Sequence, residues 1–369
     1  LSLTTFPEGL GREFLLPWET NLRVTVRNLI FPFSLATFLS GLCFFSRFKS
    51  LSKLVVFSIL FLTVFELFRF GWKFTPLTDP NLIYPSTPVL DYLKKVDKPT
   101  RINTGDTIPI SMWIPYGLES SSGYDAVYPL RWAQFLSAVN GGEIIRPMGR
   151  YGPIHKYNSR LFDLSNNCYL MAVKREDKYI SEESGEVDYK FQLEKLENVF
   201  EDKSVIILKN KECLPRAFVV NDYLFEKDPQ KIIEILKDPE FPLNKKIILE
   251  KKLPFFNSGK GDNKEAFDFK LEWLSYESDR YKISTELEKP GLLFVSDQFY
   301  PGWKAYVDGE EAEIYRADFV FRAIYLPSGK HDVVFSYEPE SFKIGIIITL
   351  SSFILLIILL VYGKHKKSN

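Results

Sequence analysis

Histidine and cysteine, the commonest metal ligands and nucleophile partners, are scarce in this chain. It has three histidines in 369 residues, and His155, His331 and His365 stand apart with no neighbouring carboxylate pattern that would hold a metal. The three cysteines, Cys43, Cys168 and Cys213, are too few and too scattered for a zinc site or a disulfide framework. A Cys168–Cys213 bridge is open in an oxidising compartment but is not the expected state. Charge of one sign is not in excess: 47 basic residues balance 47 acidic ones, so nothing points to nucleic acid. No G-x-S-x-G occurs, which leaves a nucleophile elbow unsupported. Asn257–Asp262 (NSGKGD) lacks the glycine spacing of a phosphate loop and reads as a solvated loop. The acidic run at Glu182, Glu183, Glu186 and Asp188 reads as a solvated linker, with paired glycosidase carboxylates as the alternative.

Aromatics and long apolar runs are abundant instead. Phe and Tyr number 32 and 19, and aromatics make up 15% of the chain, high for a cytosolic enzyme. Apolar runs at 29–46, 54–70 and 344–362 are each close to the roughly 20 residues that cross a bilayer core. Pro32 would sit in the opening turn of the first, and Glu66 and Arg69 near the end of the second can pair or reach the interface. The short loop holding Arg47, Lys49 and Lys53, and the tail Gly363–Asn369 (GKHKKSN), are both basic. The positive-inside rule places both in the cytoplasm. Residues 1–27 and about 72–342 then lie outside. The chain opens on Leu with no signal-peptide pattern, and reads as a fragment of something longer.

Between the second and third runs the pattern changes once. Residues 72–244 mix short helical and strand signals. Thr87-Pro88 and Asp228-Pro229 each place a capping side chain ahead of an early proline, which predicts helices. From 245 to 342 short strands rich in β-branched and aromatic residues recur at roughly ten-residue spacing, the mark of a sandwich. Asp308-Gly309 is a two-residue hairpin turn, since both positions favour positive φ. Residues 319–326 (FVFRAIYL) are apolar on both faces, which predicts a central strand. The expected architecture is a multi-pass α-helical membrane protein fragment with an extracytoplasmic α+β region followed by an antiparallel β-sandwich.

Several stretches together resemble the C-terminal part of the YfhO family of bacterial membrane proteins. They are TRI (100–102), YGLESSSGYDAVYPLRW (116–132), LFDLSNNCYLMAV (161–173), VIILKNKECLPRAFVV (205–220), SDQFYPGWKAYVDG (296–309) and FRAIYLPSGKHDVVFSYEP (321–339). The order and spacing run from about residue 76 to 362, closing on the last apolar run. Such proteins are similar to GT-C glycosyltransferases. The resemblance implies transfer of sugar from a polyprenyl-phosphate donor to an envelope polymer such as lipoteichoic acid, in the bacterial cytoplasmic membrane. The implied partners are the bilayer, the lipid-linked sugar and the polymer acceptor. The family's N-terminal spans and first outer loop, where the acidic catalytic residue is placed, have no counterpart here, so no catalytic residue is carried over. Trp113-Ile114-Pro115 also departs from the family's pattern.

Two segments carry the candidate carbohydrate contacts. In the first, Asp297, Tyr300 and Trp303 put ring faces beside a carboxylate, the pairing a sugar's C–H face and hydroxyls require. Equally, Asp297 fits a turn acceptor and Trp303 a core side chain. In the second, Tyr124, Asp125, Arg131 and Trp132 suit a sugar or phosphate, or the capping and packing of a helix. The alternative function is a non-catalytic, membrane-tethered module that binds envelope carbohydrate or acts as a scaffold. Transport is disfavoured, because only Glu66 and Arg69 come near a mid-span charge and both sit at an end.

Overall fold

The computed structural model of the chain describes residues 18–45, 52–74, 79, 82–105, 107–109, 111–124, 127–173, 194–253 and 268–368. The basic loop at 47–49, the acidic run at 182–188, the loop at 257–262 and Asp125 lie outside the described residues. The chain divides into two compact units, Leu1–Ile83 and Tyr84–Asn369.

The first unit contains α1 (Trp18–Phe45) and α2 (Ser52–Phe74), which contact each other. Pro32 lies inside α1 rather than in an opening turn, because the helix starts well before the apolar run does. In α2, Glu66 and Arg69 sit one turn apart and form an ion pair at 2.5 Å.

The second unit is built on three sheets. A four-stranded sheet takes the order β1-β2-β4-β3, from β1 (Arg101–Asn103), β2 (Asn167–Val173), β3 (Leu196–Glu201) and β4 (Val205–Asn210). A six-stranded sheet takes the order β5-β10-β14-β13-β7-β6. Its strands are β5 (Ala217–Val220), β6 (Asp222–Phe225), β7 (Lys246–Leu249), β10 (Gly291–Val295), β13 (Tyr315–Ala317) and β14 (Phe321–Leu326). The five-stranded sheet, β12-β11-β15-β9-β8, comprises β8 (Phe269–Tyr276), β9 (Arg280–Leu287), β11 (Trp303–Val307), β12 (Glu310–Ala312) and β15 (Gly329–Tyr337). The six-stranded sheet thus draws strands from both sides of residue 245, where the sequence suggested a change of architecture.

Alternation along the strands makes the layers. Ala217, Val219, Leu293, Val295, Ile324 and Leu326 face the five-stranded sheet and pack on its Tyr281, Ile283, Ala305, Val333 and Phe335. This two-sheet core fits a β-sandwich. The opposite face of the same sheet, through Phe218, Val220, Phe294, Phe321 and Ala323, is covered by helices. These are α4 (Leu130–Val139), α5 (Arg160–Leu164) and α6 (Pro229–Lys237). Strand β14 is therefore buried on both sides, as 319–326 predicts, although Asp318 and Phe319 take positive φ and delay its start to Phe321. The short α3 (Pro88–Leu93) covers the four-stranded sheet through Val89, Leu90 and Leu93.

Local chemistry sets the element ends. The Asp228 side chain accepts from the backbone N–H groups of Gln230 and Lys231, and Pro229 opens α6. Thr87 caps α3 in the same way, through the Leu90 N–H. Asp308 and Gly309 both take positive φ between β11 and β12, the hairpin turn expected of that pair. At Gly302, with φ +98, an added Cβ would lie 2.9 Å from the Tyr337 ring and 3.2 Å from Pro339 Cα. Glycine is required there, where the turn before β11 meets the strand leading into the last helix.

One expectation is overturned. Among the described residues a single helix, α7 (Glu340–Ser368), is long and apolar enough to cross a membrane, over Glu340–Leu359 with a mean hydropathy of 2.5. The second unit is β-rich, and the chain is not a multi-pass α-helical membrane fragment. Hydropathy windows respond to long runs, whereas each of these strands is only three to nine residues long. The apolar runs therefore outweighed an architecture set by shorter segments.

Candidate functional site: a cleft with three arginines at its floor

A cleft of about 820 Å³ opens in the second unit, lined by residues from the segments at 101–136 and 276–337 and by Arg216. Its floor is ionic. Arg101 enters on β1, Arg216 immediately before β5 and Arg322 on β14, and all three converge on Asp297, just past β10. Arg216 lies 2.7 Å from Asp297, while Arg101 and Arg322 each lie 3.4 Å away. Arg216 Nη2 also donates to Glu119 Oε2 and to the Tyr276 hydroxyl, both at 2.8 Å, and Tyr276 donates to Glu119 at 3.1 Å. Arg101 Nη1 donates to the Ser165 carbonyl at 2.8 Å.

Burial makes these charges consequential. The side chains of Arg101, Arg216, Arg322 and Asp297 are 8%, 5%, 3% and 10% exposed, whereas Glu119 is 37% exposed. Burial and repulsion from Arg216 bring Arg101 down to about 10. For Arg216, burial is outweighed by Asp297, Tyr276 and Glu119, which hold it above the ordinary arginine value. Burial alone would raise Asp297, but the three guanidinium groups more than offset it and hold the carboxyl below its usual range. Asp297 is thus a fixed anion. Burial pushes the phenols of Tyr276 and Tyr281 well up, so both stay protonated.

The walls are aromatic. Arg322 sits over the Trp303 ring at 4.0 Å and Arg101 lies 5.9 Å from Trp132, so cation–π contacts join floor to wall. Tyr124 and Tyr300 are about half exposed at the cleft, and Tyr124 packs on Tyr151 at 5.2 Å between ring centroids.

Five of the candidate contacts read from sequence, Tyr124, Trp132, Asp297, Tyr300 and Trp303, line this one cleft. Arg131 does not. It turns to Glu250 at 3.1 Å and stacks over Phe319 at 4.6 Å. Arg101, Glu119, Arg216, Tyr276 and Arg322 were not singled out from sequence. A signal did exist for four of them: Arg101, Glu119, Arg216 and Arg322 all fall inside the stretches that carry the family resemblance.

Cys168 and Cys213 form a disulfide, with Cα atoms 5.1 Å apart, contrary to the expectation of free thiols. Strand β2 and the turn after β4 bring together two positions 45 residues apart. Among the described residues no group of three or more His, Cys, Asp or Glu side chains is arranged to hold a metal ion.

The model of the family described as "Bacterial membrane protein YfhO" matches residues 264–349. The resemblance to the YfhO family is borne out over this C-terminal region. An "Uncharacterized protein YfhO" of Bacillus subtilis (strain 168) is 28% identical over 98 residues, which is 27% of this chain and 11% of that protein's length. No solved structure matches the chain. The YfhO-matched segment holds Tyr276, Tyr281, Asp297, Trp303 and Arg322, while Arg101, Glu119 and Arg216 reach the cleft from outside it.

Proposed function

We propose that this chain is part of a YfhO-like membrane protein that glycosylates a cell-envelope polymer, and that its cleft holds the acceptor. In this reading the sugar comes from a polyprenyl-phosphate carrier, and the polymer is of the lipoteichoic acid type. The observation that carries it is the union of aromatic ring faces and fixed polar groups in one open cleft, part of whose lining lies in the segment that matches a membrane-protein family. Ring faces cover the C–H surface of a sugar or polyol while charged groups meet its hydroxyls.

Two further observations favour an extracytoplasmic position for the β-rich unit. A disulfide between Cys168 and Cys213 is stable where the compartment is oxidising. The span in α7 is followed by Lys364, Lys366 and Lys367, a basic flank of the kind retained on the cytoplasmic side. Asp297 speaks against catalysis by this unit itself. A carboxylate engaged by three guanidinium groups and held below its usual range is a poor general base. The cleft therefore binds, and chemistry belongs to other parts of the protein. This also keeps the tethered, non-catalytic binding module as a second reading.

Tyr124→Ala and Tyr300→Ala in the whole membrane protein test the proposal, because both rings are about half exposed and their loss spares the core. Each is expected to lower glycosylation of the envelope polymer about two- to tenfold, the worth of one stacked ring. Unchanged product at normal protein level would remove the cleft from acceptor binding. Binding of polymer by the purified chain, with transfer unaffected in cells lacking it, would favour the non-catalytic module.

A further inference from the structure

The cleft floor carries more positive charge than the protein itself neutralises. Among the described residues, the ion-pair partners of Arg101, Arg216 and Arg322 are Asp297 and the partly exposed Glu119, while Glu277 lines the cleft exposed to solvent and unpaired with them. Hydrogen bonding is incomplete as well. Nε and Nη1 of Arg216, and Nε and Nη1 of Arg322, are buried without a hydrogen-bond partner. Buried guanidinium donors left unsatisfied are costly, and a surplus buried cation more so. A fold that needed only to bury Asp297 would be served by one arginine. Three, arriving on separate strands at the bottom of an 820 Å³ opening, suit a guest anion.

We propose that the arginine floor is a binding site for a phosphate ester, the phosphate seated over Arg216 and Arg322 and its organic group lying against Trp132 and Trp303. A tetrahedral oxyanion offers acceptors in several directions, which matches guanidinium groups converging from different strands, whereas a carboxylate accepts in one plane. A phosphodiester's single negative charge also equals the surplus at the floor. The proposal rests on the acceptor-cleft reading and names the group that the cleft recognises. Two sources would present that chemistry: the phosphodiester of a polyol-phosphate polymer, and the phosphate of a lipid carrier.

Glu119 gives the sharpest test. Its carboxylate occupies Arg216 Nη2 from the solvent side and would compete with a guest anion. The full chain in nanodiscs is titrated calorimetrically with a short oligo(glycerol phosphate), with inorganic phosphate, and with a neutral oligosaccharide. A fourth arm places a polyprenyl phosphate in the nanodisc lipid. Expected results are binding of at least one phosphate-ester probe, weakened by added salt and lowered about tenfold or more in Arg322→Gln. Glu119→Gln, on a partly exposed side chain, is expected to bind the same probe several-fold more tightly with an unchanged melting temperature. The oligo(glycerol phosphate) arm and the nanodisc-lipid arm separate polymer from carrier. Tightening in Glu119→Gln cannot come from misfolding, so it supports the site even if Arg322→Gln proves unstable. Binding of the neutral oligosaccharide alone would overturn the phosphate site and leave the acceptor reading standing. Failure of every probe would overturn both. Phosphate binding that is indifferent to Glu119→Gln would move the anion away from Arg216 and overturn the assignment.

Discussion

Asp297 and Asp318 are both buried carboxyl groups in the β-rich unit, and they are treated in opposite ways. Asp297 follows β10, sits among three arginines and stays ionised. Asp318 lies in the left-handed turn before β14, pairs with no cation among the described residues, and accepts the Ile248 N–H at 2.7 Å. Burial pushes Asp318 up to about 8. One acid is balanced by charge and the other by a proton. The first arrangement belongs to a cleft open to a ligand. The second is a local device that fastens β7 to the start of β14 inside the core. Burial and acidity alone therefore do not mark a site; what matters is which charges are gathered around the acid and whether they are left in surplus.

The largest break in this comparison should come from Asp297→Asn. It leaves three buried guanidinium groups without their shared anion, a loss of about 3–5 kcal/mol, which should lower the melting temperature by on the order of 10 °C. A melting temperature unchanged in that variant would mean the arginines are already solvated. Removing the disulfide with Cys168→Ser is the next largest, at about 2–4 kcal/mol, read as a lower denaturant midpoint that reducing agent reproduces in the parent protein.

Asp318→Asn has the opposite sign and sharpens the contrast. The raised folded-state value means that the folded protein holds this proton where the unfolded chain has released it. Its stabilising contribution is complete below about 4, the ordinary aspartate range, and is lost as pH rises towards about 8. Asparagine keeps the acceptor and tolerates the left-handed backbone, so the variant should be more stable than the parent at pH 8 and show a flatter profile from pH 5 to 8. Asp297, depressed instead, contributes stability above the ordinary aspartate range and loses it as pH falls through its lowered folded value. Denaturation curves across pH distinguish the two. The smallest effect belongs to the solvent-screened Lys304–Glu311 pair at 3.2 Å, where Lys304→Ala should leave the melting temperature essentially unchanged.

The limits of legibility follow the same division between local and distant causes. The Asp308-Gly309 turn and the Asp228-Pro229 helix start were readable because neighbouring residues determine them. So was the two-sided burial of β14, since a strand's period of two is visible in eight residues. The pairing of β5 with β10 and of β7 with β13 was not, because pairing between distant segments leaves no local mark. Weight given to long apolar runs also hid how much of the chain is sheet. The cleft was half legible. Asp297, Tyr300 and Trp303 lie close together in sequence, but Arg101 is 196 residues from the aspartate it joins. Arg131 misled because it adjoins Trp132. Successive helical residues point about 100° apart, so the tryptophan meets the cleft while the arginine turns to Glu250.

All of these functional readings require the cleft to face the envelope. Lys330 is 79% exposed on β15, and Ser368 ends α7 beyond the basic flank. With Cys43 replaced, a single cysteine at either position can be challenged in wall-stripped cells with a membrane-impermeant thiol reagent. Lys330→Cys is expected to be labelled in intact cells and Ser368→Cys only after permeabilisation. The reverse pattern would put the cleft in the cytoplasm and contradict the account.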